Sequence, residues 1–154
     1  MVAQYGAEHL FSRSERRMVE YDQDGALNLV DLGQPQAAGA TACLPIANFR
    51  RFAGGLFRSV GTGSVTAFSI IAATSAAGAG VTAVKSHAVG SAPNLVNDTI
   101  WLECDVEQVK EVLAAATHVG LQVDLVTAGD ECVFFFERAE PRWPVAGLTA
   151  DYIG

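Results

Sequence analysis

The sequence predicts a mainly β protein: an antiparallel β-sandwich, or a jelly-roll or β-tulip-like barrel, with one α-helix and an extended N-terminal arm. Three observations carry this reading. Short runs rich in Val, Ile, Phe and Thr recur along the chain, parted by Gly-rich turns at the roughly eight-to-twelve-residue spacing of sandwiches and barrels. Only one stretch, about residues 106–118, combines a helical apolar period with start and stop signals. Residues 1–42 differ in composition from the remainder of the chain, which divides it into an arm with one strand (1–42) and a β-sandwich domain (43–154).

Within the arm, Arg13, Arg16 and Arg17 form a charged cluster, followed by Glu20, Asp22 and Asp24. Asp24-Gly25 is a turn signal, and residues 27–32 alternate as a strand. Residues 33–41, of Gly, Pro, Ala and Gln, read as a loop. From Leu44 the pattern is strongly β. Gly54-Gly55 suggests a bulge or sharp bend in a long strand ending at Val60. Residues 65–72 are apolar or small on both faces, so this strand is expected to be covered twice. Next come a loop over 74–80, a strand over 81–89 and a second loop with Pro93 and Asn94.

Residues 99–104 form a strand on which Ile100, Leu102 and Cys104 share one face. Asp105 is a good helix N-cap and Gln108 completes a capping-box-like pair. Glu107 lies in the first turn, Val109, Val112, Leu113 and Ala116 make the apolar stripe, and Gly120 is the stop signal. His118 falls at the helix end, where the dipole favours a cation. Residues 121–127 alternate as a strand, 128–130 read as a hairpin turn, and 132–136 form an apolar strand closed by Glu137 and Arg138. Pro141, Trp143 and Pro144 mark an extended tail.

The formal net charge of -7 disfavours nucleic acid as a partner. The ten basic residues are eight Arg and two Lys, a bias suited to fixed contacts with carboxylates and carbonyls. No uncharged apolar run reaches the roughly 18–20 residues of a membrane helix, and the N-terminus lacks a basic-then-apolar leader pattern. The chain is therefore expected to be made and used in a cytosol, away from membranes. Cys43, Cys104 and Cys132 are widely spaced with no CxxC pair, which points to buried free thiols.

Motifs for chemistry are missing. Neither GxxxxGK[ST], GxGxxG nor GxSxG occurs, and Gly61-Thr62-Gly63 is a turn without the rest of a phosphate loop. His9, His87 and His118 are isolated from one another and from the thiols. The expectation is a protein that is no enzyme, with no catalytic residue, cofactor or metal. Phe49, Phe52, Phe57, Phe68, Trp101, Phe134, Phe135 and Phe136 lie on strands and read mostly as core. Phe134-Phe135-Phe136, however, must point to both faces of a sheet, so at least one ring needs a second cover. Phe135, with Arg13, Arg16, Arg17, Trp143 and Tyr152, is the candidate set for an interface.

Residues 44–52 (LPIANFRRF), 64–74 (SVTAFSIIAAT), 121–127 and 146–153 resemble small virion proteins of tailed bacteriophages encoded near the major capsid gene. The resemblance spans about residues 44–154 and is one of pattern: an apolar strand, an Ala/Gly/Thr loop and a closing hairpin. It implies a decoration or cement protein on the capsid surface, bound to the major capsid protein, homo-oligomeric with a trimer favoured, and assembled in the host cytoplasm. It carries over no catalytic residue. Other readings are a carbohydrate- or receptor-binding β-sandwich module and a tail or neck component of the virion.

Overall fold

The computed structural model describes residues 14–21, 25–30, 32, 42–60, 65–87, 99–125 and 131–141. Among the described residues nine strands and one helix occur in chain order: β1 (Ser14–Tyr21), β2 (Gly25–Val30), β3 (Leu44–Pro45), β4 (Arg51–Val60), β5 (Val65–Ala73), β6 (Thr82–Ser86), β7 (Thr99–Asp105), α1 (Val106–Val112), β8 (His118–Leu125) and β9 (Glu131–Ala139). The first sheet has the order β1-β9-β4-β7; the second runs β2-β8-β5-β6, with β3 also pairing β8. Every strand pair is antiparallel. The protein is thus mainly β, an antiparallel two-sheet sandwich, and the described strands close no barrel.

Burying one face of each sheet against the other makes the core. Phe52, Leu56, Ile100, Cys104, Cys132, Phe134 and Phe136 come from the first sheet; Val30, Phe68, Ile70, Val119, Leu121 and Val123 come from the second. Phe68 and Phe134 meet across the sandwich with ring centroids 5.9 Å apart in a tilted arrangement. Gly54 sits where the layers approach closely: a Cβ there would lie 2.5 Å from Leu121 Cδ2 and 3.3 Å from Ile70 Cγ1. The Gly54-Gly55 pair therefore marks no bend. Register with both β7 and β9 is regular through it, and the irregularity in β4 lies between Arg58 and Val60.

Strand β5 is covered on both faces, as its composition predicts. Phe68, Ile70 and Ala72 enter the main core, while Ile71 and Ala73 lie in a second cluster with Ala42 and Cys43. A register irregularity between Val65 and Ala67 turns Val65 into the main core. The second cluster is roofed by the segment before β3 and the turn after β5. Cys43 N donates to Ala76 O (2.8 Å), and a Cβ on Gly78, at φ +81°, would meet Leu29 Cδ1 at 2.2 Å.

The N-terminal region, expected to carry one strand, carries two. β1 pairs β9 in the first sheet and β2 pairs β8 in the second. The helix is shorter than expected and ends at Val112. Its start agrees with the sequence: Asp105 Oδ1 accepts from Gln108 N (2.8 Å) and Gln108 Oε1 accepts from Asp105 N (3.2 Å). Its end is set by distant partners. Thr117 N donates to Ala73 O (2.9 Å), and Ile46 N donates to Thr117 O (3.0 Å), which draws residue 117 to the edge of the second sheet. Gly120 is consequently no helix stop; it lies inside β8, where Cys43 Sγ leaves no room for a Cβ. The hairpin turn expected at 128–130 lies outside the described residues; β8 before it belongs to the second sheet and β9 after it to the first.

Candidate interaction surface

Strand parity sorts the triple phenylalanine of β9. Phe134 and Phe136 point into the core, and Phe135 stands on the outer face, 38% exposed. On β7 the same rule buries Ile100 and Cys104 and turns Trp101 outward, 54% exposed. Register then aligns the two aromatics. Phe135 is paired with Met18 of β1 on one side and Gly55 of β4 on the other, and Gly55 is paired with Trp101. The row Met18–Phe135–Gly55–Trp101 runs straight across the first sheet. Strands lie about 4.8 Å apart, so the two aromatic Cα atoms are separated by about 10 Å.

Gly55 explains how Trp101 lies. A Cβ at residue 55 would fall 2.5 Å from Trp101 Cε3 and 2.7 Å from Cζ3, so the indole covers the strand where the side chain is missing. Trp101 Nε1 donates to Glu103 Oε1 at 3.0 Å, which fixes the ring in its plane. The next row along is Arg16–Glu137–Ala53–Glu103, and beyond it Ser14–Ala139–Arg51–Asp105. Between the rows runs an open groove of about 210 Å³, lined by Arg51, Ala53, Trp101, Glu103, Glu137 and Glu140 among others. Arg51 Nη1 and Glu140 Oε1 pair across it at 3.6 Å. Glu140 succeeds β9 at φ +54°, a left-handed conformation that non-glycine residues seldom adopt.

The candidate residues from the sequence are placed unequally. Phe135 is on this face. Arg16 and Arg17 lie on β1, with Arg16 opposite Glu137 and Arg17 opposite Phe136 in the ladder. Arg13, Trp143 and Tyr152 lie outside the described residues. Trp101, read from the sequence as core, is the most exposed large apolar side chain described. Its signal was present: Ile100, Leu102 and Cys104 share a face, so Trp101 must share the other with Thr99 and Glu103.

The remaining chemistry-bearing groups are spread apart. Among the described residues, no group of three or more His, Cys, Asp and Glu could hold a metal ion, and no helix is long and apolar enough to cross a membrane. Cys43, Cys104 and Cys132 are buried, and none is joined in a disulfide. Burial pushes the Cys104 thiol up to about 12, with the negative charge of Asp105 adding to the effect and Lys85 opposing it. His118 does not cap the helix. It opens β8 with Nδ1 2.8 Å from Thr117 Oγ1, and burial lowers its pKa, which favours the neutral ring. The cation at the helix end is Lys110, whose Nζ donates to the carbonyls of Ala114 and Ala116. Arg138 is buried: Nη1 donates to Pro45 O (2.7 Å) and its guanidinium lies 4.5 Å from the Phe49 ring centroid, tying β9 to the 45–50 connection.

No protein-family model matches the sequence, and no curated protein matches it. In outline the chain is similar to a solved structure of Bacillus endospore appendages, described as a novel family of disulfide-linked pili. The identity is 11%, with 82% of this chain and 86% of that chain covered, and the TM-score is 0.45. A likeness of that size carries no argument about function.

Proposed function

We propose that this chain works by docking: a non-enzymatic structural protein that sets the outer face of its first sheet on a neighbouring subunit. The observation that carries the reading is the aligned, exposed pair Phe135 and Trp101 on a regular sheet. The two outer faces differ in a telling way. That of the second sheet is roofed by the chain itself around Cys43 and residues 74–81. That of the first sheet presents two large apolar rings to solvent, rimmed by Arg51, Glu103, Glu137 and Glu140. Aromatic anchors inside a polar rim are the usual composition of a protein interface.

The assembly proposed is the head of a tailed bacteriophage, with the chain as a decoration or cement protein on the major capsid protein. The sequence pattern over residues 44–154 supports this choice. As a homo-oligomer, with a trimer favoured, the chain would set one modest interface on several adjacent capsid sites at once and gain avidity without a large contact area. The test is co-expression with the major capsid protein of the same genome, followed by sedimentation of the shells. The wild-type chain is expected to pellet with the shells, and the double variant Trp101→Ser/Phe135→Ser to stay in the supernatant while keeping its far-ultraviolet circular dichroism. A wild-type chain that stays in the supernatant, or a double variant that pellets equally, overturns the proposal.

One observation favours a second reading, a carbohydrate-binding module. An indole lying flat on a sheet beside carboxylates could stack a sugar ring. Trp101-dependent signal on a glycan array, without pelleting, would select it.

A further inference from the structure

The first sheet ends on one side at β7, and this edge lacks the devices that keep strands apart. A sheet edge offers a row of N–H and C=O groups, and natural proteins blunt it with Lys, Pro, bulges or short strands. The other edges carry such devices. β6 has five residues, includes Lys85 and shifts register against β5. β2 shifts register against β8, and β1 holds Glu15, Arg16, Arg17 and Glu20 among its eight residues. β7 is seven residues long, keeps a regular register with β4 and contains no Lys, Arg or Pro.

Backbone hydrogen bonding decides which groups of β7 face outward. In an antiparallel ladder, successive residues of a strand turn their N–H and C=O to opposite sides. Val106 N donates to Arg50 O at 2.9 Å, one pair beyond Arg51–Asp105. Ile100, Leu102 and Cys104 therefore bond β4, while Thr99, Trp101 and Glu103 direct their backbone groups away from it. Among the described residues, β7 pairs with β4 alone. Asp105 is already engaged: its N–H goes to Gln108 Oε1 at 3.2 Å, and as the N-cap its C=O accepts from the first turn of α1. The Trp101 indole leaves the edge clear, because it lies over Gly55 on the β4 side.

We infer that this edge pairs with the β7 edge of a second copy of the chain, antiparallel about a two-fold axis at Trp101. In that register Trp101 meets the second copy's Trp101, and Thr99 meets the second copy's Glu103. Every outward N–H and C=O of the three residues then finds a partner on both strands. A register centred on Leu102 instead sets Thr99 against the engaged Asp105. Charge supports a second copy as the occupant. Glu103 falls opposite an uncharged Thr99, and the two Glu103 carboxylates lie at opposite ends of the pair. On the inner face Ile100 falls opposite the second copy's Leu102, which is only partly buried in the single chain. The contact joins chains in pairs, so the assembly holds an even number of them: two, or six where threefold contacts also form. It stands apart from the docking reading, which uses the face of the sheet rather than its edge.

Sedimentation equilibrium of the full chain is expected to give a mass of two or six chains that falls on dilution. Thr99→Glu, at an exposed position, sets like charges opposite each other twice about the axis. It should raise the dissociation constant of the pair at least about fivefold, and adding Glu103→Lys should return it to within about a factor of two. The backbone amides of Trp101 and Glu103 should exchange more slowly as protein concentration rises. A chain that stays monomeric or trimeric at millimolar concentration, a pair unmoved by Thr99→Glu, or no recovery with Glu103→Lys overturns the inference. Slowing of the two amides only when capsid shells are added also overturns it, and assigns the edge to a strand of another protein. The two proposals fail separately. Pelleting by a chain that does not pair leaves docking standing and removes the two-fold contact. A paired chain that stays in the supernatant does the reverse.

Discussion

A methyl group added at Gly54 and one added at Gly55 would each meet a carbon 2.5 Å away, yet the costs differ. At Gly54 the obstacle is Leu121, fully buried and wedged between Gly54 and its own sheet, so Gly54→Ala is expected to cost about 1–3 kcal/mol in urea denaturation. At Gly55 the obstacle is the exposed ring of Trp101, which can swing into solvent by giving up its hydrogen bond to Glu103. Gly55→Ala should cost less than about 1 kcal/mol, partly offset by the better strand propensity of alanine. It should nevertheless weaken docking as Trp101→Ser does, because the ring no longer lies flat. Cys104 gives a prediction in pH. Its thiol titrates near 9.0 when exposed and near 12 in the folded protein. Between those values the unfolded chain has released a proton that the folded chain keeps, so the unfolded state binds fewer protons and stability falls as pH rises. The contribution is fully present below about pH 9 and is lost progressively toward pH 12. The urea midpoint should therefore drop between about pH 8 and about pH 10.5, and drop less in Cys104→Ala; equal drops would show that other groups carry the effect.

At the scale of the element, α1 depends on its first turn. Its seven residues bury only Val109 completely, so few side chains hold it to the sandwich. Asp105→Ala removes the carboxylate that accepts from Gln108 N and is expected to cost about 0.5–2 kcal/mol, with Asp105→Asn retaining most of the stability in thermal melts. This start was legible in the sequence because a capping box is local: four residues contain all of its chemistry. The end was not, because it depends on Thr117 bonding Ala73 and Ile46, partners far along the chain. The same division runs through the strands. Alternation within β7 put Ile100 and Cys104 on one face correctly, since parity is a property of one strand. Which sheet a strand joins depends on its neighbours, so residues 128–130 read as a hairpin although β8 and β9 belong to different sheets. The glycine pair misled for a related reason: what fills the space at Gly54 is Leu121 of the opposite layer, and at Gly55 it is Trp101 of the adjacent strand. Of the surface itself, Phe135 could be read from three consecutive phenylalanines. Trp101 passed as core because an aromatic on a strand usually is.

On the scale of the whole molecule, cohesion comes from one apolar layer to which both sheets contribute, with the smaller cluster around Cys43 on the far side of the second sheet. The three thiols sample this arrangement. Cys104 and Cys132 lie in the main core on β7 and β9, and Cys43 lies in the smaller cluster. All three are buried, at 2% exposure for Cys43, 5% for Cys104 and 0% for Cys132, and none is joined in a disulfide. A reductant should therefore leave the unfolding midpoint unchanged. An aromatic disulfide reagent should find no thiol in the native state faster than the protein opens. Ile71 and Ala73 on one face of β5 and Ile70 and Ala72 on the other belong to the same strand, so the smaller cluster cannot separate without disturbing the main one. Labelling of Cys43, Cys104 and Cys132, with the modified peptides resolved by mass spectrometry, should then share one rate. With reagent concentrated enough to outpace refolding, that rate should equal the global unfolding rate at every urea concentration. Cys43 reacting ahead of the other two would show instead that the roof over the second sheet lifts on its own.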